Sequence, residues 1–306
     1  MIMPVEGSSP EDWLPPTTLD ELNRRLAETM RAYNAGPDPE MGGLSPEQVF
    51  RLIHSPWGVP GSPIQFHPEI PPAELEGSSF FRRAGTLLRS IRDRSGVKAT
   101  ASKNLTRRFV SEMMDELLSE ESCSQIRRHK KAINERDVGV LHIARVVSQC
   151  AGLIRLYKGK YIVPKKNHPL LAPERAGELF QKIFVAFFRK FNLAYPSRYG
   201  PEAGSIQSCA GYTLYRLGMV ASDWRETEEL PAKILLPAVR DEIEAEIGGS
   251  TFFTVDHILH NRILSPLIEW GLLEGRYEHR DSKHFKTLVA IRKTPLYDDF
   301  LQFKFG

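Results

Sequence analysis

The sequence predicts a mainly α fold with small β-hairpins. Three observations carry that expectation. Apolar residues recur at helical spacing through most of the 306 residues. Short β-prone runs flank a glycine turn, as in Arg155-Leu156-Tyr157, Lys158-Gly159-Lys160 and Tyr161-Ile162-Val163. From Phe80 the elements run helix, strand, helix, helix, strand, turn, strand, which is the order of a winged helix-turn-helix. The order recurs toward the C-terminus, so the expected architecture is two tandem winged helix-turn-helix-like domains.

Each element has a local reason. Thr18–Tyr33 reads as a helix, because Leu19, Leu22, Leu26 and Met30 repeat at helical spacing behind a Thr18 or Asp20 cap. Gly36-Pro37-Asp38-Pro39 ends it, and Ser45-Pro46-Glu47 opens a short second helix. Ser55–Pro72 carries six prolines and reads as a linker or extended strap. Phe81–Arg92 and Leu105–Leu118 are amphipathic helices either side of a short strand at Gly96–Thr100. Glu135–Ile154 reads as one long third helix leading to the hairpin. Pro173–Tyr195 holds Leu179, Ile183, Phe184, Phe187, Phe188 and Phe191, the stripe of a buried connecting helix. Ile206–Leu217, Asp223–Arg225, Glu228–Val239, Val255–Trp270, Leu272–Glu278 and Lys286–Lys293 then repeat the earlier order. Cys150-Ala151-Gly152-Leu153-Ile154 parallels Glu269-Trp270-Gly271-Leu272-Leu273, each glycine ending a helix. The expected divisions are 1–79, an acidic proline-rich segment with short helices; 80–172, the first winged-helix-like domain; 173–204, a connecting helix; and 205–306, the second such domain.

Charge is segregated along the chain. The total is +3, but residues 1–79 hold 4 basic and 12 acidic side chains, and residues 80–170 hold 20 basic and 8 acidic. A local excess of +12 attracts polyanions, since each neutralised phosphate releases counterions. The same excess also suits the acidic N-terminal segment as an internal partner. No apolar run is long enough to cross a bilayer, and no basic stretch followed by an apolar core opens the chain. Cys123, Cys150 and Cys209 are too scattered for a metal motif or disulfide framework, so a cytoplasmic location is expected.

His129-Lys130-Lys131-Ala132-Ile133-Asn134-Glu135-Arg136-Asp137 with Leu141-His142, and Ala99-Thr100-Ala101-Ser102-Lys103-Asn104-Leu105, resemble a family of uncharacterised bacterial proteins. The likeness covers about residues 45–305. The second motif reads roughly L-T-x-x-G-N-L in that family, and Lys103 stands where glycine is usual. Its relatives sometimes sit beside plasmid-type ORF or SEC-C-like segments. The resemblance implies a tandem winged-helix-like fold and a bacterial origin, and no activity.

The expected nucleic-acid contacts follow from the winged-helix order. Arg107 and Arg108 open the second helix, and Arg127, Arg128, Lys130 and Lys131 precede the third. Lys158 and Lys160 bracket the wing tip, with Lys165 and Lys166 beyond it. These are placed for phosphates. His142, Arg145 and Gln149, with Glu135, form the stripe opposite the apolar side of the third helix, where base contacts are expected. In the second domain His257 and His260, with His279 or His284, are a weak metal arrangement, so no metal or cofactor is expected. No nucleophile elbow, P-loop, dinucleotide fingerprint or H-E-x-x-H is present. The leading expectation is non-enzymatic binding of duplex DNA, in a regulatory role. One rival is a protein-interaction scaffold, binding itself as a homo-oligomer or another protein, with residues 1–79 covering the basic surface. The other is an enzyme with a dispersed site.

Overall fold

The computed structural model describes residues 18–196, 201–250, 252–279 and 286–305. The chain divides between Arg51 and Leu52 into two compact units. It is mainly helical, with small antiparallel sheets.

In the smaller unit, α1 (Leu19–Ala35) starts where the Thr18 hydroxyl accepts the Glu21 N–H at 3.1 Å. Its predicted stripe of Leu19, Leu22, Leu26 and Met30, extended by Tyr33, is exposed along the whole helix. The helix α2 (Pro46–His54) begins on its proline and runs into the larger unit.

The larger unit begins with the proline-rich strap. Trp57, Ile64, Ile70 and Leu75 are buried in the core. The strand β1 (Ile64–Phe66) pairs with the last strand of the chain. Residues 52–75 are therefore built into the larger unit: prolines shape the strap, but the apolar residues between them drive its burial.

Next come α3 (Ser79–Asp93), β2 (Val97–Lys98), α4 (Arg107–Leu117), α5 (Glu120–His129), α6 (Gly139–Cys150), β3 (Arg155–Tyr157) and β4 (Lys160–Ile162). Two of these differ from the sequence expectation. The helix α5 occupies the stretch between the second and third expected helices, where no element was expected: Ser119 caps it by accepting the Ser122 N–H, and Cys123 is its single buried side chain. The expected helix over 135–154 is shorter. Asn134 and Asp137 form a reciprocal capping box around a 3-10 turn at Glu135–Asp137, so α6 starts only at Gly139.

The second half holds α7 (Ala176–Arg189), α8 (Gly204–Ser208), α9 (Ala210–Val220), β5 (Arg225–Glu226), α10 (Leu230–Ile234), α11 (Pro237–Ile247) and α12 (Val255–Leu259). A π-helical turn at His260–Leu264 joins α12 to α13 (Ser265–Glu269). The expected continuous helix over 255–270 is interrupted there because Pro266 has no N–H to donate to Arg262. β6 (Leu273–His279), β7 (Lys286–Lys293), α14 (Pro295–Phe300) and β8 (Leu301–Phe303) complete the chain. His284, weighed in the sequence as a possible partner of His257 and His260, lies outside the described residues.

Two three-stranded antiparallel sheets share one order. In the first, β4 lies between β2 and β3; in the second, β7 lies between β5 and β6. The paired glycines behave alike. Gly152 and Gly271 adopt φ of 67° and 73°. The following N–H groups, of Leu153 and Leu272, reach back to Ser148 and Leu267, each at 2.9 Å. Both helices thus end in the same left-handed cap before entering a strand.

The core forms on α7. Phe184 meets Trp270 edge-on at 5.2 Å between centroids, and Phe180 meets Phe300 at 4.7 Å. Phe80 lies 5.0 Å from Trp270, so aromatic residues from both halves share one interior. Gly177 permits the closest approach: a Cβ there would stand 1.9 Å from the Pro68 carbonyl oxygen. The carbonyl is backbone and a Cβ is fixed to backbone, so no side-chain rotation separates them. Gly177→Ala is expected to cost about 1–3 kcal/mol, read by urea unfolding.

Candidate nucleic-acid interface

The first sheet has two unlike faces because side chains alternate along a strand. Val97, Leu156 and Tyr161 form one row across β2, β3 and β4, and Val97 and Tyr161 are buried. The next row is Lys98, Lys160 and Tyr157, all exposed, with Lys98 directly opposite Lys160. Arg155 lies two residues from Tyr157 and shares its face. Its guanidinium sits 5.3 Å from the Tyr157 ring centre, and the Lys158 ammonium 5.5 Å from it. None of these four cations has an ion pair among the described residues, and no Asp or Glu occurs in the three strands.

The turn adds strain to this charge. Lys158 adopts φ of 45° and Gly159 of 74°, both left-handed. Asn before Gly is the low-cost choice in such a turn, and a lysine there gives up stability. Lys158→Asn is expected to be neutral or to raise stability by up to about 1 kcal/mol, which thermal unfolding checks. Lys103, where the resembling family carries glycine, also has a left-handed φ, of 59°.

From β2 the chain enters the loop over 99–106. It is pinned to the hairpin by the Ala99 N–H, which donates to Gly159 O at 2.9 Å. The Tyr161 hydroxyl donates to Lys103 O at 2.6 Å. An open groove of about 820 Å³ is lined by Thr100, Ser102 and Asn104 of this loop and by Arg107, Asn134 and Arg136, with the carboxylates of Glu135 and Asp137 also in its wall. Hydroxyls, amides and guanidinium groups are the usual partners of phosphate oxygens.

Beneath the groove lies a buried ionic network. Glu135 is fully buried. It accepts from His142 Nδ1 at 2.6 Å, Arg145 Nε at 2.5 Å and the Leu105 N–H at 2.5 Å. Burial pushes its carboxyl up, but the His142 and Arg145 hydrogen bonds outweigh that and hold it below the ordinary value. The other ring nitrogen, His142 Nε2, lies 2.8 Å from the Tyr195 hydroxyl, which can either donate or accept. Arg145 also donates to Gln149 and to the Tyr161 hydroxyl, each at 3.1 Å.

The network corrects the expected base-reading stripe. His142 and Arg145 are buried, and of the three residues assigned to base contact only Gln149 is exposed. The helical wheel placed them opposite an apolar face. However, α6 packs against α3, α4 and α7, and so is enclosed on most sides. The phosphate candidates are all exposed, but their charges are differently engaged. Arg127 pairs with Asp115, Arg108 with Glu112 and Lys130 with Asp137, while Arg107 donates to Asn134. Arg128, Lys131, Lys158, Lys160, Lys165 and Lys166 carry no ion pair among the described residues. Lys98, Arg155, Tyr157 and Arg136 were missed by the sequence reading. The alternation Val97/Lys98, Arg155/Leu156/Tyr157 and Lys160/Tyr161 was the signal for all but Arg136.

Among the described residues, no three His, Cys, Asp or Glu side chains group as metal ligands. His257 is exposed, and His260 is held low mainly by burial and then by His257. Cys123, Cys150 and Cys209 are free thiols. Burial first, then the Glu242 charge, pushes Cys209 up to about 11, so it stays protonated. No helix among the described residues is long and apolar enough to cross a membrane.

The geometry defines a mainly helical segment of the larger unit that carries a three-stranded sheet with one cationic face. Residues 76–177, from just before α3 to the start of α7, match the family model of the Y4jL N-terminal domain. That is about a third of the chain, and it contains the first sheet, the groove and all of the buried network except Tyr195. No curated protein and no solved structure matches the chain.

Proposed function

We propose that the segment around residues 80–172 is a winged-helix-like unit that binds duplex nucleic acid through its phosphates, with the β3–β4 hairpin as the wing. One observation carries this reading: Lys98 and Lys160 stand directly opposite each other, beside Arg155 and Lys158, with no carboxylate in the sheet. Like charges paired across strands destabilise a sheet, so the arrangement lacks a folding rationale and fits an external polyanion. The shared strand order and the twin helix caps support a tandem pair of such units. Burial of His142 and Arg145 favours binding by backbone contact over base reading.

The full chain is expected to bind a random-sequence duplex in low salt, with log affinity falling linearly against log salt. Four to six phosphate contacts give a slope of about −4 to −5. Fluorescence anisotropy over a salt series tests it. No binding in low salt, or a flat dependence, removes the proposal.

A further inference from the structure

We infer that α1 is a self-association element: two copies of the chain pack their α1 helices antiparallel through the stripe of Leu19, Leu22, Leu26, Met30 and Tyr33. These five side chains are 47–73% exposed, and no residue of α1 is buried. A 17-residue helix is marginal by itself in water and normally gains its stability by packing an apolar face. The stripe is not what faces α2, the next helix of the same unit. Arg31, Asn34 and Ala35, none of them in the stripe, line a cleft with Pro46 and Glu47 of α2.

The spacing points to a second copy as the occupant. Steps along the stripe are 3, 4, 4 and 3 residues, an average of 3.5, which is the seam of a two-stranded coil. They also read the same from either end, with Leu26 at the centre. An antiparallel second copy therefore meets the stripe in register: Leu26 against Leu26, Leu22 against Met30, and Leu19 against Tyr33. That is the self-complementarity of a two-fold interface, in which residue i meets j and j meets i. Charge selects the same direction. Asp20 lies in the first turn, and Arg31 is the only charged residue after Glu28 in the helix. An antiparallel pair sets each Asp20 end beside an Arg31 end, whereas a parallel pair sets like beside like. Covering about 100 Å² on each of the five side chains in two copies buries about 1,000 Å², the lower end for a specific interface, and fits a Kd on the order of 10 μM.

The inference is independent of the nucleic-acid reading, and sedimentation velocity of the full chain without nucleic acid tests it. In about 0.1 M salt the chain is expected to pass from monomer to dimer between about 1 and 100 μM. Leu22→Glu and, separately, Met30→Lys put a charge into the seam, and each should weaken the dimer at least about tenfold. Neither residue is buried in the single chain, so thermal unfolding of the dilute variants should match wild type. Leu22→Glu combined with Met30→Lys in one chain fixes the direction. Antiparallel pairing then sets opposite charges together twice, and the dimer should recover at least about threefold over either single variant. Parallel pairing would set like charges together and weaken it further. A full chain that stays monomeric at about 100 μM would hand the stripe to another segment or another protein and overturn the inference. A dimer that survives both single variants, or a double variant no tighter than the single ones, would overturn it as well.

Discussion

Glu135→Ala is expected to lower stability by about 3–5 kcal/mol, the cost of leaving a buried ion pair with one partner. The wild-type carboxylate is fully buried and accepts from His142, Arg145 and the Leu105 N–H. Without it, Arg145 keeps only Gln149 and the Tyr161 hydroxyl as acceptors. Glu135→Gln keeps an acceptor but removes the charge, so its loss should fall between wild type and alanine. Urea unfolding at neutral pH measures both, and a loss under about 1 kcal/mol for the alanine variant would refute the network's role. The pH dependence has a defined sign. The folded carboxyl is held below its ordinary value, so its contribution is complete above the unfolded value. It disappears as pH falls through the lowered folded value. Glu135→Ala should therefore flatten the acid limb of the stability profile. The effect should also reach the hairpin, because Arg145 holds the Tyr161 hydroxyl, which in turn holds Lys103 O beside β2.

The legibility of this fold in its sequence varied with how local the cause was. The two hairpins, the α7 stripe and the glycines at 152 and 271 depend on neighbours a few residues away, and periodicity exposes such causes. The missed helix α5 has one buried side chain, too little for an apolar pattern. The inward turn of Glu135 depends on Arg145 and on the Leu105 N–H, ten and thirty residues distant. Nothing in a helical wheel shows that the opposite side of α6 will be covered. The strap over 52–75 was misleading for the same reason. Its prolines are local signals, but its burial depends on β8 at the far end of the chain. A truncation meant to remove only the acidic arm should therefore stop before the buried Leu44 and α2, since one ending at 79 also removes β1 and core residues.

Replacing Lys98, Arg155, Lys158 and Lys160 together by alanine is expected to lower duplex affinity by about 10²–10³ near 0.1 M salt and to reduce the salt slope by about 3–4. The four residues share one exposed surface of the sheet and its turn, and none has an ion pair among the described residues. Their loss therefore leaves no buried charge unpaired. Removing the Lys98–Lys160 repulsion should leave stability unchanged or slightly higher, and alanine at 158 keeps the left-handed cost of the lysine it replaces. Lys182→Ala with Lys304→Ala, both outside the matched segment, controls for net charge and should change affinity less than threefold. Tyr157→Ala separates the two forms of nucleic acid. A stacked base on an exposed ring contributes about 1–3 kcal/mol to single-strand binding. A duplex keeps its bases stacked inside and offers this ring only its backbone. Duplex binding should therefore survive Tyr157→Ala with little change and fail in the quadruple variant. A quadruple variant that binds as wild type would move the cationic contacts to Arg128, Lys131, Lys165 and Lys166. A large loss from Tyr157→Ala alone would make the preferred partner single-stranded.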